Sequence, residues 1–249
     1  MPYKIQLNVN YQIFKKDLIN IKKLFKNSTQ SIHKARNELK TIKINDIECV
    51  VKSFKIPHFI NKVAYTFFRD GKAKKSFANA MKLQELGVNT PEPIGIIEFF
   101  KFGLLHESYF ISKYEPYDFT IREVFHHKVD DVEEILKEFA KFTYEIHQKG
   151  VWHVDYSLGN ILISKQNNGT YKFSLVDINR MEFKEIPPQE GLKNFNKFWA
   201  KFDKDLPLIA KEYAKLANFD ETKAVEIVLD EAKKLEDMVN MKRKLKGKK

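Results

Sequence analysis

A chain of 249 residues, 43% apolar and 31% charged, can bury roughly 70 to 75% of the surface its unfolded form exposes, and its composition excludes a disordered or fibrous protein. One cysteine, Cys49, excludes an internal disulfide or a cysteine-built zinc cluster, and its thiol reads as a small apolar strand residue. The formal charge of +11 suits an anionic partner; because lysine outnumbers arginine 39 to 5, and base readout leans on bidentate arginine, no specific nucleic acid is expected.

No apolar run approaches the roughly 18 residues that span a bilayer, and the first ten residues lack the apolar stretch and cleavage site of a signal peptide, so a soluble cytoplasmic chain is expected. The first 55 residues suggest short β-like stretches: Tyr3 to Asn10, Glu38 to Ile44, then Ile47 to Phe54 after the turn Asn45-Asp46. Alternation of Cys49, Val51 and Ser53 against Val50, Lys52 and Phe54 makes the last two a hairpin. From Ala73 to Leu86, Phe77, Ala80, Met81 and Leu86 recur at helical spacing, and Gly87 sits where a helix ends. Two more strands, Ile94 to Phe100 and Ser108 to Ser112, flank Gly103.

After Glu115-Pro116 the pattern turns helical. Asp130 or Asp131 can cap a helix with the stripe Ile135, Phe139, Phe142 and Ile146, ended by Gly150. Asn160 to Ile163 and Lys172 to Val176 flank the turn Asn167-Asn168-Gly169 and read as a second hairpin. Phe195, Phe198, Trp199 and Phe202 read as core, and Asp203 onward reads as helix, with Asp220 capping a segment that carries Val225, Val228, Leu229, Ala232 and Leu235. The expected layout is a sheet lobe over residues 1–113, a helical lobe over 114–241 and a basic tail over 242–249.

Between the helix and the second hairpin lies His153-Val154-Asp155-Tyr156-Ser157-Leu158-Gly159-Asn160, and Asp177 follows the hairpin in Leu175-Val176-Asp177-Ile178-Asn179-Arg180. H-x-D-x-x-x-x-N, a hairpin, then Asp resembles the catalytic loop and metal-binding Asp of the protein-kinase-like fold. That resemblance implies an α+β, two-lobed fold with a small antiparallel-sheet lobe and a mainly helical lobe. It further implies ATP and magnesium, with Asp155 at the acceptor hydroxyl, Asn160 and Asp177 on the metal, and His153 holding the loop. Lys52, in Val50-Val51-Lys52, matches the strand lysine that contacts the α and β phosphates.

The stretches Ala35 to Glu38, Val50 to Lys55, Asn61 to Tyr65, Lys72 to Phe77 and Leu86 to Ile94 are similar to the lipopolysaccharide kinase family, which phosphorylates Kdo or heptose sugars of the inner core; the likeness runs from about Lys34 to about Phe195. Arg180 fits that family, where an Arg soon after the metal Asp replaces Phe-Gly. The implied partners are a nucleotide and an anionic glycan or glycolipid. A kinase of another small molecule or of a protein, and a pseudokinase binding module, are the alternatives; Ala78 favours the last mildly, the retained Asp155, Asn160 and Asp177 oppose it.

Three departures stand out. No glycine occurs from Thr29 to Lys40, so a tighter turn or the side chains of Lys34 and Arg36 must cover the phosphates. Ala78 stands where relatives often carry Glu, leaving either Glu85 or Asp177 with the phosphates to steer Lys52. There is no Ala-Pro-Glu segment, so loop phosphorylation is not expected to regulate the chain. The last eight residues hold six basic side chains and no acid, which leaves +5 for the rest. They read as a solvated end, with peripheral contact to the anionic inner leaflet as the functional alternative.

Overall fold

The structure is a computed structural model and describes residues 1–29, 31–34, 37–55, 59–198 and 204–245. It divides into two compact units, Met1–Pro116 with Asp177–Asn179, and Tyr117–Val176 with Arg180–Lys249.

The first unit contains β1 (Tyr3–Leu7), α1 (Lys15–Ile19), α2 (Ile21–Asn27), β2 (Ser31–Lys34), β3 (Asn37–Ile44), β4 (Ile47–Lys55), α3 (Phe59–Phe67), α4 (Lys72–Glu85), β5 (Pro93–Lys101) and β6 (Leu104–Lys113). Its strands form one antiparallel sheet in the order β1-β5-β6-β4-β3-β2. Asn45 and Asp46, at φ +48° and +62°, make the two-residue turn that pairs Ile44 with Ile47; both residue types tolerate that left-handed backbone.

The β-like expectation for the first 55 residues holds only in part. Val9–Phe14 is a 3-10 turn and α1 and α2 follow it. Phe14, Leu18, Ile21 and Phe25 recur every three or four residues and are buried against Ile42, Cys49, Val51, Ile97 and Ile111. Burying such a stripe is worth roughly 1.5 to 3 kcal/mol per side chain, enough to set the helical period despite the lysines between. Cys49 is part of this core, and burial pushes its thiol up to about 12. The expected helix after residue 72 is α4, which buries Ala73, Phe77, Ala80 and Leu83 and ends before Gly87 at φ +63°.

The second unit holds β7 (Phe119–Thr120), α5 (Ile121–Phe125), α6 (Val132–Gln148), β8 (Val151–His153), β9 (Ile161–Lys165), β10 (Tyr171–Leu175), β11 (Met181–Phe183), α7 (Pro188–Lys193), α8 (Leu206–Leu216) and α9 (Glu221–Leu245). β9 and β10 form the expected hairpin and β7 joins β9, while β8 pairs with β11. In α6, Ile135, Phe139 and Ile146 are buried and Phe142 stacks on Phe173. Asp131 precedes α6 but does not cap it as expected: its backbone is left-handed, at φ +57°, and its side chain makes no capping bond. Asp220 does cap α9, accepting from the Lys223 N–H at 2.8 Å. α9 runs to Leu245, so the tail expected from Lys242 begins as helix; 246–249 lie outside the described residues, as do Trp199 and Phe202. Among the described residues no helix is long and apolar enough to cross a membrane.

Candidate active site

In the first unit, Lys52 stands on β4 opposite Phe110 of β6. Its side chain is buried, its Nζ lies 5.4 Å from the Phe54 ring centre and donates to Asp177 Oδ1 at 2.5 Å. A buried ammonium needs such a partner, since a lone charge there would cost several kcal/mol. The same carboxylate oxygen accepts from Asn179 Nδ2 at 2.5 Å. Asp177 adopts φ +53°, a left-handed conformation that is uncommon outside glycine and that Asp and Asn tolerate better than other residues.

Glu85 is not the partner of Lys52. It is exposed on the last turn of α4 and pairs with Lys82 at 3.1 Å, so of the two sequence-level options Asp177 is the one seen. Ala78 is exposed as well. α4 instead reaches the Asp177 segment through the next residue, Asn79, whose Nδ2 donates to the Ile178 carbonyl at 2.6 Å. Lys34 ends β2, with its side chain outside the description, and Arg36 lies outside the described residues.

In the second unit, residues 153–160 form a loop knotted by its own hydrogen bonds. The Asp155 N–H donates to His153 Nδ1 at 3.0 Å. That nitrogen is therefore the acceptor, and the proton sits on Nε2, which donates to the Val176 carbonyl at 3.0 Å. His153 is fully buried and engaged at both nitrogens, so it braces the loop. Asn160 Nδ2 donates to the Asp155 carbonyl, and its own carbonyl accepts from the Val176 N–H. Tyr156 anchors the loop from below: it is fully buried, stacks on Phe139 and shares a 2.8 Å hydrogen bond with the Thr143 hydroxyl. Arg180 contributes main chain, its carbonyl accepting from the Val154 N–H at 3.0 Å, and its side chain is exposed.

Lys197, which sequence reasoning missed, completes this loop. Its Nζ donates to Asp155 Oδ1 at 2.5 Å and to the Val154 carbonyl at 3.0 Å. Phe195 and Phe198, expected as core and fully buried, pack on Phe139 and Tyr156. One aromatic cluster thus fixes both the loop and the segment that carries Lys197. Asn194 was missed too; its Nδ2 donates to the His153 carbonyl at 3.1 Å and its Oδ1 accepts from His147 Nε2 at 3.2 Å. Neither residue carries a local sequence signal, since both sit in the mixed stretch Lys193-Asn194-Phe195-Asn196-Lys197-Phe198.

Each unit carries an oxygen donor of the kind that magnesium takes, a hard cation that keeps several waters and leans on substrate phosphates. Asp177 offers a carboxylate. Asn160 has committed its amide nitrogen to Asp155, which leaves its Oδ1 for a cation. Among the described residues no group of three or more His, Cys, Asp or Glu side chains could hold a metal, and magnesium held with a nucleotide needs none. Lys52 supplies a point charge suited to phosphate oxygens and Asp155 a carboxylate able to accept a hydroxyl proton.

Comparison with known proteins bears on the family and the fold. A search of curated proteins finds no match. Among solved structures, WaaP in complex with acyl carrier protein is similar, with a TM-score of 0.61 at 14% identity over 93% of this chain and 99% of that one; the likeness shows the protein-kinase-like fold. Residues 52–219 match the lipopolysaccharide kinase (Kdo/WaaP) family. The matched stretch opens at Lys52 and extends past Phe195, so it leaves out Lys34 and Arg36 and takes in Lys197. Covering well over half the sequence and carrying Lys52, Asp155, Asn160 and Asp177, that match places the chain in the Kdo/WaaP family of lipopolysaccharide kinases.

Proposed function

We propose that the chain transfers the γ-phosphoryl group of ATP, with magnesium, to a hydroxyl of an inner-core sugar, Kdo or heptose. The observation that carries this reading is the Lys52–Asp177 ion pair, two residues 125 positions apart held at 2.5 Å. Lys52 would bind the α and β phosphates, Asp177 and Asn160 would ligate magnesium, and bound magnesium would screen the charge on the transferred phosphoryl group. Asp155 orients the acceptor hydroxyl and takes its proton, braced by His153 and paired with Lys197. The acceptor is an anionic glycan or glycolipid, and the basic tail holds the enzyme against the anionic cytoplasmic face of the membrane.

Incubation with labelled ATP, magnesium and Kdo- or heptose-containing acceptors tests the reading. Asp155→Ala should lower transfer by about 100-fold to 10,000-fold, the usual worth of positioned acid–base catalysis, while nucleotide still binds. Asp177→Asn should abolish transfer in a folded protein, because Asn also tolerates the left-handed backbone at that position. Undiminished turnover in Asp177→Asn, or phosphorylation of a generic protein with no transfer to either sugar, would overturn it.

A further inference from the structure

α9 is 25 residues long, yet its buried residues, Ala224, Val228 and Ala232, all lie in its first half. From Glu236 to Leu245 every residue is partly or fully exposed. In that exposed half Met238, Met241 and Leu245 are 46%, 61% and 80% exposed. Their spacing of three and four places them on one helix face, while Glu236, Asn240 and Arg243 fall on the opposite one. Lys242 borders the apolar face, its Nζ 3.5 Å from Met238 Sδ. Three large apolar side chains on one face of a water-exposed helix end serve neither the core nor solubility.

We propose that this half of α9 lies in the plane of an anionic lipid bilayer, with Met238, Met241 and Leu245 entering the acyl boundary and the basic residues on the headgroups. Charge selects the occupant: Lys242 and Lys244 flank the apolar stripe, Arg243 adds a cation on the other face, and Lys246, Lys248 and Lys249 follow in sequence. A second copy of the chain would bring the same cluster of cations against it. A helix of this pattern, apolar on one face, with Asp237 on one flank and Lys242 on the other and basic toward its C-terminal end, is the kind that binds in the interface rather than across it. The proposal rests on reading the tail as membrane-directed and is independent of the transfer chemistry.

Vesicle flotation with the full chain tests it, and a failed kinase assay would leave the result untouched. Vesicles of phosphatidylcholine with phosphatidylglycerol should bind the protein; vesicles of phosphatidylcholine alone should not. Lys242→Gln with Lys244→Gln should weaken binding roughly 25-fold, at about fivefold per basic residue near the surface. Met238→Ser with Met241→Ser and Leu245→Ser, which keeps every charge, should also weaken it severalfold, and a Leu245→Trp variant should show a blue-shifted emission on anionic vesicles only. These positions are exposed, so the variants retain the fold. Binding unaffected by the serine variant, with no shift in the tryptophan emission, would mean simple electrostatic adsorption and would overturn the proposal. Self-association in the absence of vesicles, or no binding at all, would overturn it equally.

Discussion

Asp155, the proposed proton acceptor, is held at both ends: its N–H by His153, its Oδ1 by Lys197. Replacing Lys197 with Met keeps the length and removes the charge. Lys197→Met is expected to lower kcat by about 10-fold to 100-fold, by analogy with the loss of an outer-shell partner behind a metal ligand. The KM for ATP should stay nearly constant, because the proposed phosphate contacts come from Lys52 and the magnesium ligands. Lys197→Arg should restore part of the loss. Equal effects on both constants, with no rescue by Arg, would make Lys197 a merely structural residue. The loop was legible in the sequence because its own contacts span two to five residues, His153 to Asp155 and Asp155 to Asn160. Lys197 was not, since its bond to Asp155 spans 42 residues and nothing local separates it from the other lysines. Asn79 was hidden for the same reason: its partner, Ile178, is 99 residues away, and the neighbouring Ala78 drew attention to the wrong face of α4.

The helices of the second unit are tied to the loop by one buried relay. Tyr213 of α8 bonds His147 Nδ1 on α6 at 2.9 Å, His147 bonds Asn194, and Asn194 bonds the His153 carbonyl. Gly191 of α7 lies so close that a Cβ there would stand 2.1 Å from the Tyr213 hydroxyl, which explains a glycine inside a helix. Burial pushes His147 down to about 4, against an ordinary value of 6.5. A histidine depressed in the folded state takes up its proton in the unfolded chain first. Its contribution is therefore complete above pH 6.5 and is lost as pH falls toward about 4, a difference of about 3 kcal/mol. Thermal unfolding should show stability falling between pH 6.5 and 5, and His147→Gln, which can still donate and accept, should flatten that slope. Parallel pH curves for the two proteins would mean that another group is responsible. The relay joins four separated segments and could not be read from any of them, whereas the β3–β4 hairpin and α4 were legible because two-residue alternation and 3.6-residue periodicity are local. The failure at α1 and α2 has a different cause: there the apolar stripe was present and the lysines around it masked its period.

At the scale of the whole chain, the order of strands then helices was readable, while the grouping of Asp177–Asn179 with the first unit was not. Lys52 and Asn79 of the first unit hydrogen-bond to that segment, and no periodicity encodes such contacts. Net charge, by contrast, is fully readable and makes its own prediction. Of the charge of +11, six units lie in the last eight residues and +5 remains on the body. A positive body draws a phosphorylated or carboxylated sugar toward it, and that attraction is screened once the Debye length shrinks to about 10 Å, near 0.1 M salt. The KM for a water-soluble inner-core acceptor should therefore climb severalfold as salt rises from about 0.03 to 0.3 M. kcat should change little, because the Lys52–Asp177 pair lies partly out of water and is screened less. Removing Lys242 to Lys249 should leave this salt dependence in place for the soluble acceptor and should raise KM only when the acceptor is presented in an anionic bilayer. Steady-state kinetics across that salt range, with intact and shortened chains and both forms of acceptor, separates the two sources of attraction. A KM indifferent to salt with the soluble acceptor would show that body charge plays no part in acceptor capture.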